Sequence, residues 1–535
     1  MPLRLAAEVS PEGPMGFLMR ILFVTSECPP LIKTGGLADV SAALPVALAE
    51  RGIDIRVMMP GYPDALDRAD HVGPAIPLGD LPGEDRARLL PARSPDSGMP
   101  LWLLDCPRLY RRNAGPYQDL DGRDWPDNDL RFAALCHAAV RVAYNAAGLG
   151  WRPELIHTND WHTGLVPLLL ADSARSRPPV VFTIHNLAFQ GLFAADALPL
   201  LGLPGDTFSP EGVEFYGRIS FLKAGLRYAD RLTTVSRTYA REIQTPEFGC
   251  GLDGLLRQRS RHLLGIPNGA DYGLWDPAED SSLPRRYSLA EIGRKRDCKA
   301  VLQCELGLDV EPETPLFAFL SRLTEQKMAD TVAEAVPWLI AAGAQFALHG
   351  QGDRALEERF KALAEQYPGR VSVQVGYEER SARRLLAGAD VLLHPSRFEP
   401  FGLVPIYALR YGTLPLVRKV GGLADSVVDG STSNVDGEAT GFAFSGDTLE
   451  DLLGCLRRAL DTFGQPVAWR RMQRHAMRQD FGWRGPAEEY LNLYRTLAES
   501  RAEQDFAEPG SGRGLWSDRS FLPSPPPMRA RTAKG

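Results

Sequence analysis

Four short segments hold residues whose types and spacing suit chemistry on a phosphate-bearing ligand. The first is Lys33-Thr34-Gly35-Gly36. Glycines let backbone N–H groups approach a phosphate, a following helix adds its positive dipole end, and lysine adds a full charge. The same tetrapeptide also reads as a tight strand-to-helix turn. The second segment is Ser321-Arg322-Leu323-Thr324-Glu325-Gln326-Lys327, directly after the apolar run Leu316 to Leu320. Two cations, Arg322 and Lys327, at the carboxyl end of a parallel strand suit a pyrophosphate, which arginine can bind as a fork. A solvated surface loop is the plain alternative. In the third, Ser396-Arg397-Phe398-Glu399-Pro400-Phe401-Gly402, Glu399 can orient hydroxyls, or simply cap the next helix. The amides of Phe401, Gly402 and Leu403 can donate to hydroxyls or phosphate. The fourth is His157-Thr158-Asn159-Asp160-Trp161-His162, with His185-Asn186 after another apolar run. His157, Asp160 and His162 have ligand-like chemistry, but nothing else completes a cluster, so no metal is expected. No G-x-S-x-G element and no Cys/His pairing offers a protein nucleophile.

These loops need elements to hold them, and the apolar pattern supplies an alternation of strands and helices. Arg20 to Thr25 reads as a strand buried on both faces. A turn-rich stretch and a helical pattern with Leu37, Val40, Leu44 and Leu48 on one face follow it, and Pro45 inside that pattern predicts a kink or an early break. Ile53 to Met59 is the next strand, and Leu155 to His157, Val180 to Ile184 and Arg231 to Val235 continue the rhythm. After an irregular segment around 276–286 it restarts, with strands expected at 316–320, 345–349, 371–375, 391–394 and 414–417. The fold class is α/β, with two Rossmann-like domains facing a cleft. One internal echo joins the halves: Gly35-Gly36-Leu37-Ala38-Asp39 reappears as Gly421-Gly422-Leu423-Ala424-Asp425. Equivalent phosphate-facing loops are the expectation. The domains are placed at 19–275 and 276–479, after an extension over 1–18. A helix over 480–499 with an apolar face at Tyr490, Leu493, Tyr494 and Leu497 packs back on the body, and a Pro-rich tail over 500–535 reads as disordered.

Composition sets the class. The chain has 535 residues, 44% hydrophobic and 24% charged, the balance of a soluble globular protein too long for one core. A net charge of −7 gives no reason to expect nucleic acid. Seven scattered cysteines read as reduced thiols. No signal-peptide pattern and no membrane-spanning run is present, so the expected location is cytoplasmic, with no membrane partner.

Taken in order, the segments resemble the bacterial glycogen synthase and plant starch synthase family from Met19 to about Ala498. The resemblance rests on Lys33 to Val40, Asn159-Asp160-Trp161-His162, Thr183 to Gly191, Thr245 to Gly249 with Gly251 to Gly254, Pro267-Asn268-Gly269, Trp275-Asp276-Pro277, the Arg322/Lys327 loop and Pro395 to Pro400. It implies a GT-B type glycosyltransferase with an acceptor-side first domain and a nucleotide-sugar second domain. The implied reaction moves glucose from ADP-glucose to the non-reducing end of an α-1,4-glucan such as glycogen, with retention and without metal or other cofactor. In the family's pattern Lys33, Arg322 and Lys327 hold the donor diphosphate, with Gly35, Gly36, Phe401, Gly402 and Leu403 beside it. Glu399 and His185 contact the glucose, Asp160 lies at the reaction centre, Asn268 lies near the donor and Tyr117 lies near the active site. This chain departs from the pattern at Phe401 (usually Cys), Val404 (usually Thr), Pro405 and Met328 (usually Gly). Two alternatives stand beside this reading: a retaining transferase with another donor or a small acceptor, and a glucan-binding paralogue without catalysis.

Overall fold

Ile21, Leu22, Phe23 and Val24 are all buried, as a strand covered on both faces requires. That strand, Arg20–Val24, lies at the centre of the first of two large sheets in a computed structural model. The structure describes residues 19–146, 148–171, 177–430 and 437–507, with side chains to Ser500. The expected extension over 1–18 and most of the expected tail lie outside the described residues. The last helix, Arg484–Ala507, runs past Ser500, so the tail boundary set by composition falls inside a helix.

In the first sheet the parallel strands run in the order Leu263–Gly265, Arg231–Thr234, Val180–Ile184, Leu155–Asn159, Arg20–Val24, Asp54–Pro60, Pro100–Asp105. Antiparallel strands Glu84–Arg93, Asp70–His71 and Ile76–Leu81 extend its edge. The second sheet is wholly parallel, in the order Val371–Val375, Gln345–Gly350, Leu316–Leu320, Val391–His394, Leu414–Arg418, Phe442–Phe444. Pro100–Asp105, Leu263–Gly265, Phe442–Phe444 and the edge hairpin are absent from the sequence expectation. Two of these strands are only three residues long and Glu84–Arg93 mixes charges with a proline, so they show no long apolar run; Pro100–Asp105 does carry one, in Leu101 to Leu104, and was legible.

Strand order places the loops. Arg20–Val24 pairs with Leu155–Asn159 on one side and Asp54–Pro60 on the other. Leu316–Leu320 likewise pairs with Val391–His394 and Gln345–Gly350. At each place the chain connections leave in opposite directions, which opens a crevice beyond the carboxyl ends. The Lys33 and Asp160 loops leave the two strands of the first switch, and the Arg322/Lys327 and Glu399 loops those of the second.

The helix after Arg20–Val24 corrects one expectation. Pro45 does not break it; Gly36–Ala49 is continuous. Proline deprives the carbonyl of residue 41 of its intrahelical donor. Cys28 Sγ takes that place, 3.6 Å from Ser41 O, and the Ser41 hydroxyl lies 2.8 Å from Thr25 Oγ1.

The domains meet through reciprocal carboxylates. Asp425 of the second domain accepts from Ser236 Oγ at 2.7 Å, Thr238 N at 3.1 Å and Thr238 Oγ1 at 2.6 Å, at the start of helix Arg237–Glu242. Glu242 of that helix accepts from Gly421 N with both oxygens at 3.0 Å, at the start of helix Gly421–Ser426. Each charge faces the positive end of a helix in the other domain. The last helix returns to the first domain, where Tyr490, Leu491, Leu493, Tyr494 and Leu497 join its core. Among the described residues no helix is long and apolar enough to cross a membrane.

Candidate active site

Glu27 organises the first-domain loop. Its carboxylate accepts from Thr34 N at 2.6 Å, Thr34 Oγ1 at 2.5 Å, Gly35 N at 3.3 Å and Tyr117 OH at 2.5 Å. The amides of Thr34 and Gly35 are therefore spent inside the protein, leaving Gly36 and Leu37 at the helix start to face a ligand. Gly35 is extended, with φ −156°. A Cβ at Gly35 or Gly36 would meet nothing within 4 Å, so neither packing nor a tight turn demands these glycines. The open space they leave is what close approach of a phosphate needs. Lys33 Nζ lies 2.7 Å from Asp39 Oδ1. Partial burial pulls the Lys33 ammonium down, but Asp39, with smaller contributions from Tyr377 and Glu379 of the second domain, carries it above its ordinary value. Lys33 thus stays charged and faces the opposite domain. Burial raises the Asp39 carboxyl in spite of its partner.

Asp160 has φ 55° and ψ −177°, a backbone region nearly reserved for glycine that costs on the order of 1–3 kcal/mol. Its Oδ1 accepts from His185 N at 2.7 Å and Asn186 N at 3.4 Å, which holds the strained residue in place. Burial pushes its carboxyl up to about 7, opposed by those two amides. Because this folded value exceeds the unfolded one, Asp160 favours the native state at low pH and loses that contribution as pH rises through about 7. Asp160→Asn should therefore gain stability relative to the parent as pH rises from about 4 to about 7, on the order of 1–4 kcal/mol in all, and the difference should level off above that. Thermal melts across that range check it; a pH-independent difference would mean the carboxyl does not titrate there.

His185 is held by Asn159, whose Nδ2 donates to Val24 O at 3.0 Å and whose Oδ1 lies 2.9 Å from His185 Nε2. Since Oδ1 can only accept, Nε2 carries the proton, and Nδ1 is the bare nitrogen. Burial lowers His185 to about 3, so it works as a neutral ring. His157 and His162 have structural partners. His157 bridges Tyr494 OH at 2.7 Å and Thr183 Oγ1 at 2.6 Å, tying the last helix to the sheet. His162 stacks on Tyr117 at 4.7 Å.

The second-domain half centres on Glu399. Its Oε2 accepts from Lys327 Nζ, from His394 Nε2 at 3.1 Å and from Ser396 Oγ at 3.0 Å. No donor among the described residues reaches Oε1, which is left for a ligand. Burial alone would raise the Glu399 carboxyl, but Lys327 and His394 hold it well below the usual carboxylate range. The two loops are stitched together: Arg397 N donates to Gln326 O at 2.8 Å, and the Arg397 guanidinium forks onto Asp330 at 2.9 and 2.8 Å. Arg322 is exposed and makes no ion pair among the described residues.

The departures from the family pattern find physical places. Met328 occupies the left-handed region, φ 53°, and is fully buried. Left-handed backbone costs a non-glycine residue about 1–2 kcal/mol, while burying a methionine side chain stabilises by about 1.5–3 kcal/mol, so burial offsets the strain. Phe401 is buried in the second-domain core rather than projecting into the crevice. Pro405 lies in the first turn of helix Leu403–Arg410, where no intrahelical donor is lost. Gly402 precedes that helix with φ 90°, and a Cβ there would lie 2.6 Å from Leu423. Asn268 is buried with Oδ1 unpartnered, beside Gly269, which packs against Trp483 at the crossing between domains.

The echo of Gly-Gly-Leu-Ala-Asp is corrected. A Cβ at Gly421 would meet Glu399 O at 1.8 Å, and one at Gly422 would meet Phe401 O at 2.1 Å. Gly422 N donates to Glu399 O at 3.1 Å, and Gly421 N is taken by Glu242. This second copy braces the Glu399 loop and faces no phosphate. Sequence reasoning also missed Glu27, His394 and the exposed Tyr377. Only Tyr377, an exposed aromatic just after the strand Val371–Val375, carries a local signal.

Residues 20–258 match the family described as starch synthase catalytic domain, and residues 308–469 match glycosyl transferases group 1. The glycogen synthase of Burkholderia thailandensis is 54% identical over 485 residues, covering 90% of this chain and 91% of that protein. That of Paramagnetospirillum magneticum is 48% identical, covering 90% and 98%. Among solved structures, the catalytic domain of starch synthase IV from Arabidopsis thaliana, bound to ADP and acarbose, is 28% identical with a TM-score of 0.81, covering 90% and 99%. Sucrose-phosphate synthase from Thermosynechococcus elongatus, 19% identical at a TM-score of 0.55, shares the fold. With two Rossmann-like sheets whose switch points carry the Lys33, Asp160, Arg322/Lys327 and Glu399 loops, the chain belongs to the glycogen synthase and starch synthase family of glucosyltransferases.

Proposed function

We propose that the chain transfers glucose from ADP-glucose to the non-reducing end of an α-1,4-glucan, with retention and without a metal ion. The observation that carries this reading is the exposed Arg322, with no ion pair among the described residues, beside Lys327 and Glu399 and across from a Lys33 loop whose glycines open onto free space. The charges of these cations suit a diphosphate, and the exposed ring of Tyr377 suits a stacked base. Glu399 Oε1 and the neutral His185 suit sugar hydroxyls. In the transfer the bond from the anomeric carbon to the diphosphate breaks, and negative charge grows on the phosphate that Lys33, Arg322 and Lys327 neutralise. The acceptor hydroxyl attacks on the face the leaving group vacates, and its proton passes to the departing phosphate oxygen. Asp160, buried with its carboxyl pushed up to about 7 and its Oδ1 held by the His185 and Asn186 amides, is poorly suited to act as a nucleophile. The test is radiolabel transfer to glycogen from ADP-glucose and from UDP-glucose in excess chelator. Transfer from ADP-glucose is expected at an undiminished initial rate. Preference for UDP-glucose, or dependence on added divalent ion, overturns the corresponding part of the reading.

A further inference from the structure

The strand Val391–His394 ends in a buried histidine that the reaction as described does not use. His394 Nε2 lies 3.1 Å from Glu399 Oε2 and 3.4 Å from Lys327 Nζ, while its Nδ1 is buried without a partner. One nitrogen cannot serve both neighbours at once. With a proton it donates to the carboxylate; without one it accepts from the ammonium. The second arrangement would put the ring proton on Nδ1, leaving a buried N–H unpaired, which costs more than an unpaired acceptor nitrogen. The shorter contact is also the one to Glu399.

We infer that His394 is a positioning residue for Glu399, holding Oε2 in place when Lys327 turns from the carboxylate to the leaving diphosphate. This rests on the reading of Lys327 as a diphosphate ligand. In the unliganded site Oε2 has three donors, and Lys327 is the strongest of them because it is charged. A diphosphate competes for that ammonium. As Lys327 shifts, His394 Nε2–H and Ser396 Oγ–H are what keep the carboxylate from rotating, and Oε1 keeps its aim at the sugar. His394 is placed for this because its strand leads directly into the Glu399 loop, and Ser396 N donates to His394 O at 3.1 Å. Its bare Nδ1 makes no hydrogen bond, so an apolar replacement deletes only the grip on Glu399.

The experiment is a double-variant cycle on the full chain, with turnover, donor KM and melting temperature read for each variant. His394→Leu is expected to lower turnover roughly 10- to 100-fold, the scale for one hydrogen bond to a charged group, with donor KM little changed. His394→Gln places an amide N–H where Nε2 stood and should recover most of the loss. In a Glu399→Gln background His394→Leu should cost little more, because residues acting as a unit are not additive. Equal costs of His394→Leu in both backgrounds, or a His394→Gln as impaired as His394→Leu, would sink the positioning role. Lys327→Ala runs alongside: if it turns over like the parent, the diphosphate reading of Lys327 fails, whatever the cycle shows.

Discussion

Removing Arg322 or Lys327 is expected to lower turnover by roughly 10²–10³-fold, the scale for losing one preorganised electrostatic contact to a developing charge. Ground-state donor binding should weaken less than turnover, because these cations act most strongly as phosphate charge grows. Lys33→Ala should show the same class of defect although it comes from the other domain. Its ammonium is charged through Asp39 and faces Tyr377 and Glu379 across the crevice. On the proposed reading the three cations reach one diphosphate when the domains close on it. Lys361, paired with Glu358 at 2.8 Å on an exposed helix, provides the control substitution. If Lys33→Ala behaves like Lys361→Ala while the second-domain variants are crippled, the first-domain loop is only a turn and the clamp is wrong.

Glu399→Gln should separate affinity from turnover in the opposite sense. In the parent a diphosphate competes with Glu399 for Lys327, whose side chain is only 12% exposed. Without the carboxylate charge that competition disappears, so ADP should bind more tightly while turnover falls by about 10²-fold or more. The unliganded variant should be less stable by about 3–5 kcal/mol, since it leaves a nearly buried ammonium without a counter-charge. Saturating ADP should therefore raise its melting temperature more than the parent's. The loss should be constant from about pH 6 to 9. The folded-state value of Glu399 is depressed, so its stabilisation is complete above the unfolded value and fades only as pH falls through the folded one. Isothermal titration with ADP and melts with and without it read all three quantities; weaker ADP binding in Glu399→Gln would mean that the two ligands of Lys327 do not compete.

Much of this architecture was legible in the residues. The buried strands of both sheets appear as short apolar runs because a strand covered on two faces has no polar positions to interrupt it. The loops that follow them stand out because ligands bind beyond the carboxyl ends of parallel strands, which is where their lysine, arginine and glycine residues lie. Edge strands escaped for the same reason: Glu84–Arg93 meets solvent, and its charges erase the pattern.

By itself, then, the sequence determined the α/β alternation, the loops that bear charge and the family resemblance, all of them properties of neighbouring residues. The tertiary structure decided what those residues meet. Strand order brought the Lys33 loop beside Asp160 and the Arg322/Lys327 loop beside Glu399, and no local pattern encodes which strands pair. Two identical pentapeptides became different objects, one opening onto free space and the other wedged beneath Glu399, because a glycine's use depends on what approaches its missing side chain. Cys28 rescued a proline-interrupted helix, Glu27 claimed two loop amides, and His394 reached Glu399. In each case a buried donor or acceptor had to find a partner, and only the folded packing sets which one is within reach.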